Sequence, residues 1–489
     1  MPYIILTLVI IIILAVIVIR ALQFRAPSVP FEPAPPIKVN IDQAAQHLSE
    51  AVSFPTISFG GDSPAEHEAF NGLHQSLEKM YPLLHQKTKK FTINRHSLLL
   101  LWEGSNPDLD PVILLAHQDV VPADPTTFNE WTHHPFSGAI ENGYIWGRGT
   151  LDCKNQLIGA LEAAETLLAE EFQPERTILF AFGHDEEIGG NNGAQKIVTW
   201  LQEKEIRAEA VLDEGGAVLE GGFPGIDGLA AVIGTMEKGH IDVRLHVTAT
   251  AGHASTPPKQ TAIGILASAI SRIEAHPMPA QLNRVLPLFQ GLGENLPFSY
   301  RLIIANHWLF KGILRRLLEA NPQMNASIRT SIAATIMHGG IKENILPREA
   351  YANLNIRLLP GDTIENVLNH LTQVIDDERV EVTLSGEFQD EASTVSPSSG
   401  PAFEGLKRAI QRTYGDIPAA PYIMLGASDS RHYAAVSDHI YRFSPMVLSS
   451  SDLDRIHGID ERESVEDFGN TVRFFIHLIR NWSMSLDGN

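Results

Sequence analysis

The chain reads as an α/β protein. It is expected to have a mixed sheet flanked by helices, interrupted by a smaller inserted α+β domain and preceded by a transmembrane helix. Three observations carry that reading. Apolar runs of strand length alternate with helical stretches between residues 97 and 212, as in a sheet covered on both faces. From Glu237 onward, strict apolar–polar alternation takes over, as in a sheet with one wetted face. Tyr3 to Ile19 is apolar throughout except for Thr7. At 489 residues the chain also exceeds what one core usually holds, which argues independently for two domains.

The N-terminal run comes first. A helix needs about 20 apolar residues to span a bilayer, with a lower limit near 17. The run meets that limit and no small-x-small cleavage site follows it, so residues 1–22 are expected to form an uncleaved single-pass anchor rather than a cleaved signal. Arg20, Arg25 and Lys38 flank its C-terminal side, which by the positive-inside rule favours a cytoplasmic body. That rule weakens for long translocated domains, and the expectation taken forward is an extracytoplasmic catalytic domain. Ala26 to Pro36 holds five prolines and reads as a semi-rigid spacer within residues 23–40.

Residues 41–236 form the first part of the larger domain. Ile41–Phe54 is a helix candidate, and Ser63-Pro64 starts another, with Ser at the cap and Pro in the first turn. The strands are Ser97–Trp102, Val112–Ala116, Thr177–Phe182 and Ala210–Leu212; Lys154–Glu170 and Gly193–Lys204 are helical. Residues 237–387 form the insertion. His240–Val247 alternates, a helix follows at Thr261–His276, then strands Ser331–Met337 and Tyr351–Leu358, a helix Thr363–Ile375 and a strand Val380–Leu384. This β-α-β-β-α-β order describes a small α+β unit. The α/β pattern resumes near Pro401, within residues 388–489.

Composition removes some functions. The net charge is −21 and no basic stripe offsets it, so nucleic acid is not an expected partner. Cys153 is the single cysteine, so no intramolecular disulfide can form.

The chemistry centres on Gly183-His184-Asp185-Glu186-Glu187-Ile188-Gly189-Gly190, at the end of an apolar strand. One of two adjacent glutamates can bind a metal while the other moves a proton. Four more metal-type ligands lie at strand ends or tight turns: His117, Asp152, Asp213 and His457. In open α/β sheets, sites form at the carboxyl ends of strands, so these residues and Glu187 are expected to converge. Two imidazoles and three carboxylates suit Zn²⁺, and the same donor set admits Co²⁺ or Mn²⁺. With one bridging carboxylate they can hold two metals about 3.5–4 Å apart. Asp119, two residues after His117, would share its face and fix its tautomer. Glu186 is then free to take a proton from the attacking water and deliver it to a leaving amine. Any one of these residues alone is more often a cap or a solvated turn; their common topological location argues for the site.

These segments also resemble a family. His117-Gln118-Asp119-Val120-Val121-Pro122, Gly147-Arg148-Gly149-Thr150-Leu151-Asp152-Cys153-Lys154 and Asp185–Gly190 look like the signatures of the co-catalytic zinc metallopeptidases. Asp213-Glu214-Gly215-Gly216 and the anchor-plus-spacer resemble the carboxypeptidase S branch in particular, and the likeness runs from about Ile41 to the C-terminus. The resemblance implies a zinc-exopeptidase-like core with a ferredoxin-like lid, and two Zn²⁺ shared among His117, Asp213, His457 and Glu187 with Asp152 bridging. It also implies a cis peptide at Asp152–Cys153. His253, in Gly252-His253-Ala254-Ser255, is implied to stabilise the oxyanion. Asn344 and Arg357 are implied to clamp the substrate amide and carboxylate, with Arg431 in the Gly426–Arg431 loop as a further carboxylate candidate. Lids of this kind dimerise in some relatives, so a homodimer is a candidate assembly.

Pro287 to Pro322 looks like an addition to a minimal lid. Ile303, Ile304, Trp308, Leu309, Phe310, Ile313, Leu314, Leu317 and Leu318 give it a helical apolar stripe, read either as core packing or as a wall of an acyl-chain pocket. The function expected is a membrane-anchored di-zinc hydrolase cleaving the amide of an N-acyl amino acid or small peptide that bears a free carboxylate. The rival readings are a dipeptidase or carboxypeptidase acting on peptides, and a non-catalytic zinc-dependent binding protein.

Overall fold

Helix α1 (Pro2–Leu22) is long and apolar enough to cross a membrane, and it meets the rest of the protein only near its C-terminal end, where Ile17 and Ala21 are buried. The computed structural model describes residues 2–484 apart from 28–30, 32, 61, 62 and 224, and the side chains of 387, 388 and 450 are also left aside. Part of the expected spacer, including Pro30, therefore lies outside the described residues.

The large sheet begins with β1 (Lys89–Ile93), β2 (Ser97–Trp102) and β3 (Val112–His117), and continues with β4 (Ile178–Gly183), β5 (Ala210–Asp213), β6 (Val218–Glu220) and β7 (Leu229–Glu237). Parallel pairing joins β3 to both β4 and β5, while β1–β2 and β2–β4 are antiparallel, so the sheet is mixed. Its central strands are buried on both faces. Leu98, Leu100, Leu114, Phe180 and Leu212 pack on one side, with helix α2 (Lys154–Ala169). Leu99, Ile113, Leu115, Leu179 and Val211 face the other, with helix α3 (Ala194–Glu203). This is the period-2 alternation of a pleated strand, here apolar on both sides.

The second sheet takes the next segment of chain: β8 (Gly239–Thr248), β9 (Ser331–Gly339), β10 (Glu349–Leu358) and β11 (Val380–Asp390), in the order β9-β10-β8-β11 and antiparallel throughout. One face packs against α4 (Ala262–Ala275), and the core there is Val243, Leu245, Leu266, Leu354 and their neighbours. Thr261 caps α4 by accepting the Gly264 N–H. Strand β9 lies at the edge and leaves Ile336 and Met337 about half exposed, at 51% and 50%. Between β8 and β9, Gly252–His253 pairs with Ile345–Leu346 in a separate two-stranded ribbon.

The addition between residues 287 and 322 contains α5 (Phe298–Ala305) and α6 (His307–Glu319), followed by α7 (Pro322–Ser327). Here the structure divides the apolar stripe expected from the sequence. Ile304, Leu314 and Leu318 are buried in a cluster with Leu288 and Leu292, whereas Trp308, Leu309, Ile313 and Leu317 point outward. A helix with apolar residues on two faces presents one to the core and leaves the other for something else. The chain next forms α8 (Ile364–Ile375), whose cap Thr363 accepts the Asn366 N–H, and which packs with α4. It then returns to the large sheet through α9 (Pro401–Tyr414), β12 (Ala419–Met424), β13 (Ile440–Arg442) and β14 (Val447–Leu448). Strand β13 pairs in parallel with β5, and β12 in parallel with β7. Helix α10 (Val465–Trp482) closes the fold, capped by Ser464, with Glu466 and Asp467 in its first turn and Arg480 in its last, as the helix dipole favours.

Candidate active site

The site stands at the carboxyl ends of the parallel strands. His117 is the last residue of β3, Glu186 and Glu187 follow β4, and Asp213 ends β5. The His117 ring hydrogen-bonds through Nδ1 to the Asp119 backbone carbonyl at 2.9 Å, which leaves Nε2 facing the site. Asp119 thus orients His117 with its main chain rather than its side chain, whose Oδ1 is 3.5 Å from Nδ1. Its carboxylate instead accepts the N–H groups of Glu186 and Glu187, each at 3.1 Å, and fixes the loop that carries both.

Asp152 sits between the two imidazoles: its Oδ1 is 2.9 Å from His117 Nε2 and its Oδ2 3.0 Å from His457 Nε2. The Asp152–Cys153 peptide is cis, as the resemblance implies. His457 adopts a left-handed φ of 61°, uncommon for a side chain of its size, and reaches Glu187 Oε2 at 3.4 Å. The loop bearing Asp152 is held from behind by Glu461, whose carboxylate accepts the backbone N–H groups of Gly149, Leu151 and Asp152 and pairs with Arg148.

Asp213 is placed elsewhere than expected. It points to the Ser430 N–H at 2.7 Å and the Glu214 N–H at 2.9 Å, and its neighbour Glu214 brings Oε1 to 3.2 Å from His117 Nε2. The reason is the end of the strand. Asp213 keeps the pleat and points to one side, while Glu214 lies past β5, free of the pleat and one methylene longer. Two ligand clusters result, sharing Asp152: His117, Asp152 and Glu214 beside Cys153, and Asp152, Glu187 and His457, with the donor atoms in each within 4.8 Å. Cys153 is turned to the backbone, its sulfur accepting the His117 N–H at 3.2 Å.

The electrostatics fit a cation. Burial, then the charge of Asp152, pushes Glu214 up to about 8, and burial raises Glu187 as well. Hydrogen bonds that its ring donates to Asp152 and Glu187 push His457 up to about 10. Burial opposes the charge on His117, but the neighbouring anions outweigh it and raise that ring too. Burial also acts on Asp152, where the hydrogen bonds of both imidazoles prevail and hold it well below the carboxylate range. Without a cation, these carboxylates are held apart only by protons. Glu187 Oε1 is buried and has no hydrogen-bond partner among the described residues, as suits a donor aimed at a metal. Burial raises Glu186 well above its ordinary value; nearby His117 opposes this, and Glu214, Asp429 and Glu187 add to it. The result is a carboxyl that holds a proton more tightly than an ordinary glutamate.

The remaining residues expected in the site are arranged differently. His253 and Asn344 belong to the ribbon, both exposed; the Ala254 N–H bonds the Asn344 carbonyl and the His253 ring bonds Ser255. Among the described residues, none of their hydrogen bonds reaches the metal-ligand cluster. Arg357 lies on β10, partly buried, and among the described residues no hydrogen bond or ion pair engages its guanidinium. Burial lowers it, and the charge of Arg431 lowers it further against the pull of Asp242. Arg431 itself donates to the Gly189 carbonyl at 3.0 Å, tying its loop to the one that carries Glu186. A cavity of about 320 Å³ adjoins Asp152 and Glu214, walled mostly by apolar side chains including Leu219, Phe223, Leu288 and Met324.

Sequence reasoning passed over Glu214 and Glu461. Glu214 stood within a quoted motif, yet the strand end favours its neighbour; Glu461, four residues after His457, shows its purpose only once the Asp152 loop is folded against it.

A partly buried glutamate beside paired clusters of metal-type side chains that share one carboxylate is the equipment of a metal-dependent hydrolase. The profile of peptidase family M20/M25/M40 matches residues 113–481, and the chain belongs to that family. It is similar to the probable carboxypeptidase S-like 2 of Dictyostelium discoideum, 41% identical over 444 residues, covering 90% of this chain and 85% of the relative. It is also 41% identical over 444 residues to an N-fatty-acyl-amino acid synthase/hydrolase of Xenopus tropicalis, covering 90% of this chain and 86% of that protein. Among solved structures, an M20 family metallo-carboxypeptidase from Sulfolobus solfataricus shares the fold, with a TM-score of 0.64 at 19% identity over 90% of this chain and 99% of that one. The protein is a zinc metallopeptidase or amidohydrolase of this family.

Proposed function

We propose that the protein is a membrane-anchored di-zinc amidohydrolase that cleaves N-acyl amino acids carrying an apolar acyl chain. The observation that carries this reading is the apolar cavity beside Asp152 and Glu214, since a hydrolase for short polar dipeptides has no use for such a wall. The relatives named for carboxypeptidase S and for N-fatty-acyl-amino acids support an amide substrate with a free carboxylate.

Two zinc ions would be held by His117 and Glu214 on one side and Glu187 and His457 on the other, with Asp152 between them. When bound, such ions polarise the scissile carbonyl and acidify water. The protein's own groups do the rest. Glu186 takes a proton from the attacking water and returns it to the leaving amine, a role its raised pKa suits. Arg357, with Arg431 nearby, forms a seat of like charge that a substrate carboxylate relieves. His253 and Asn344 reach the carbonyl when the lid closes, or from a second copy joined along the exposed edge of β9. The catalytic domain is placed outside the cytoplasm.

The test is a substrate panel on zinc-loaded full-length protein, comparing N-oleoyl with N-acetyl amino acids and with dipeptides. A higher kcat/KM for the long acyl chain, abolished by chelator, supports the reading. Equal turnover of N-oleoyl and N-acetyl substrates removes the acyl pocket, and preference for dipeptides favours the peptidase.

A further inference from the structure

The point where α1 meets the folded body sets the depth of a second surface. Asn306, fully buried between α5 and α6, donates from Nδ2 to the Ile17 carbonyl at 3.0 Å, and Arg20 Nε donates to the Ala305 carbonyl at 3.1 Å. The junction of α5 and α6 therefore grips α1 at Ile17, five residues before its end at Leu22, or about 7 Å along a helix axis. Helix α1 has 21 residues and is about 31 Å long, roughly the thickness of the hydrocarbon layer. A spanning α1 thus carries the junction, and the start of α6, down to the boundary between headgroups and acyl chains.

At that level α6 presents an apolar face to the outside. Ile313 and Leu317, one turn apart and 49% and 50% exposed, share one side of α6 beyond a kink at Phe310, and Trp308 and Leu309, 56% and 47% exposed, lie before that kink, while Leu314 and Leu318 fill the core. Exposed large apolar side chains grouped on one short segment of a folded protein mark an interaction surface. Lys311, Arg315 and Arg316 are exposed on the same helix, against one acidic residue, Glu319, in a chain whose net charge is −21. Local positive charge, an exposed tryptophan and an apolar stripe together suit an anionic lipid interface.

We propose that α6 is an interfacial membrane contact, lying with Trp308, Leu309, Ile313 and Leu317 in the headgroup–acyl boundary beside α1. The depth argument rests on the anchor reading of α1. The contact makes the body a platform on the bilayer instead of a globule on a free tether. It also brings α7, which supplies Gln323 and Met324 to the apolar cavity, close to the surface from which lipid-tailed substrates would come.

The test uses full-length protein in vesicles of phosphatidylcholine and phosphatidylglycerol. Single cysteines are introduced as Leu309→Cys, Ile313→Cys, Leu317→Cys, Arg315→Cys and Ile10→Cys, each carrying a polarity-sensitive fluorophore; native Cys153 is buried and stays unlabelled. Brominated lipid should quench the labels at 309, 313 and 317 several-fold more than the label at 315, and the label at 10 should be quenched as well. Quenching at 10 with no difference between 315 and the other three overturns the proposal and leaves the anchor standing. Labels at 309, 313 and 317 shielded from both lipid quencher and aqueous iodide mean that a second copy covers the face, which also overturns it. If the label at 10 escapes lipid quencher, the anchor reading fails. Quenching at 309, 313 and 317 then still supports docking of α6, and its absence overturns it.

Discussion

The metal-ligand cluster and the His253–Asn344 ribbon carry residues of the same proposed reaction, yet they are held in opposite ways. The cluster stands at the carboxyl ends of central strands, with His117 buried and His457 half exposed, and is fixed from several sides: Asp119 holds the loop of Glu186 and Glu187, and Glu461 holds the loop of Asp152. The ribbon is exposed and bonded mainly to itself. Groups that bind a cation have to be held by the surrounding fold, because carboxylates brought together without one repel each other. Groups that touch only the substrate can be delivered later, by closure or by a partner, since substrate binding offsets the cost of moving them.

The contrast breaks first at Glu186. Glu186→Gln should lower kcat by about 10²–10⁴-fold while zinc content, read by elemental analysis, stays unchanged. Loss of zinc instead would move Glu186 from proton transfer into the ligand set. On the ribbon, His253→Ala should lower kcat by about 10²–10³-fold with both zinc content and Tm unchanged. Wild-type turnover would show that the ribbon never joins the site. A matched pair sharpens the cluster itself: Glu214→Gln should lose one metal equivalent, whereas Asp213→Asn should keep both and weaken affinity by about 10–100-fold. The reverse result would return Asp213 to the ligand set.

The smallest effect is one of pH. His457 is pushed up to about 10 in the metal-free protein, so at neutral pH it carries a proton that a metal must displace. Each proton displaced in this way should make metal affinity rise about tenfold per pH unit until its group titrates, with protons released on binding. Calorimetry in buffers of different ionisation enthalpy would measure that release; none at pH 7 would mean the ring is already neutral.

Much of this was legible in the chain. The central strands of the large sheet are apolar on both faces, and their shortness together with the turn residues that bound them marks them as strands. The neighbours His117, Asp152, Glu187 and His457 were legible as well, since strand ends and tight turns are local features and local features announce themselves. The β-α-β-β-α-β order around the second sheet could be read for the same reason, with β11 running on to Asp390 beyond the expected Leu384. Less legible was the direction of side chains once regular structure stops. The strand end pointed to Asp213, and only the turn beyond β5 shows Glu214 reaching His117. Arg431, one candidate for substrate, spends a hydrogen bond on Gly189.

The sequence by itself determined the class of fold, the apolar N-terminal helix and the supply of ligands, because periodicity, length and residue chemistry are properties of the chain. Tertiary structure alone decided which of two adjacent carboxylates meets His117, where the apolar stripe of α6 divides into a core face and an outer face, and that α1 is gripped at Ile17. Each of these depends on which distant surfaces come together, and no local pattern records the approach of a segment hundreds of residues away.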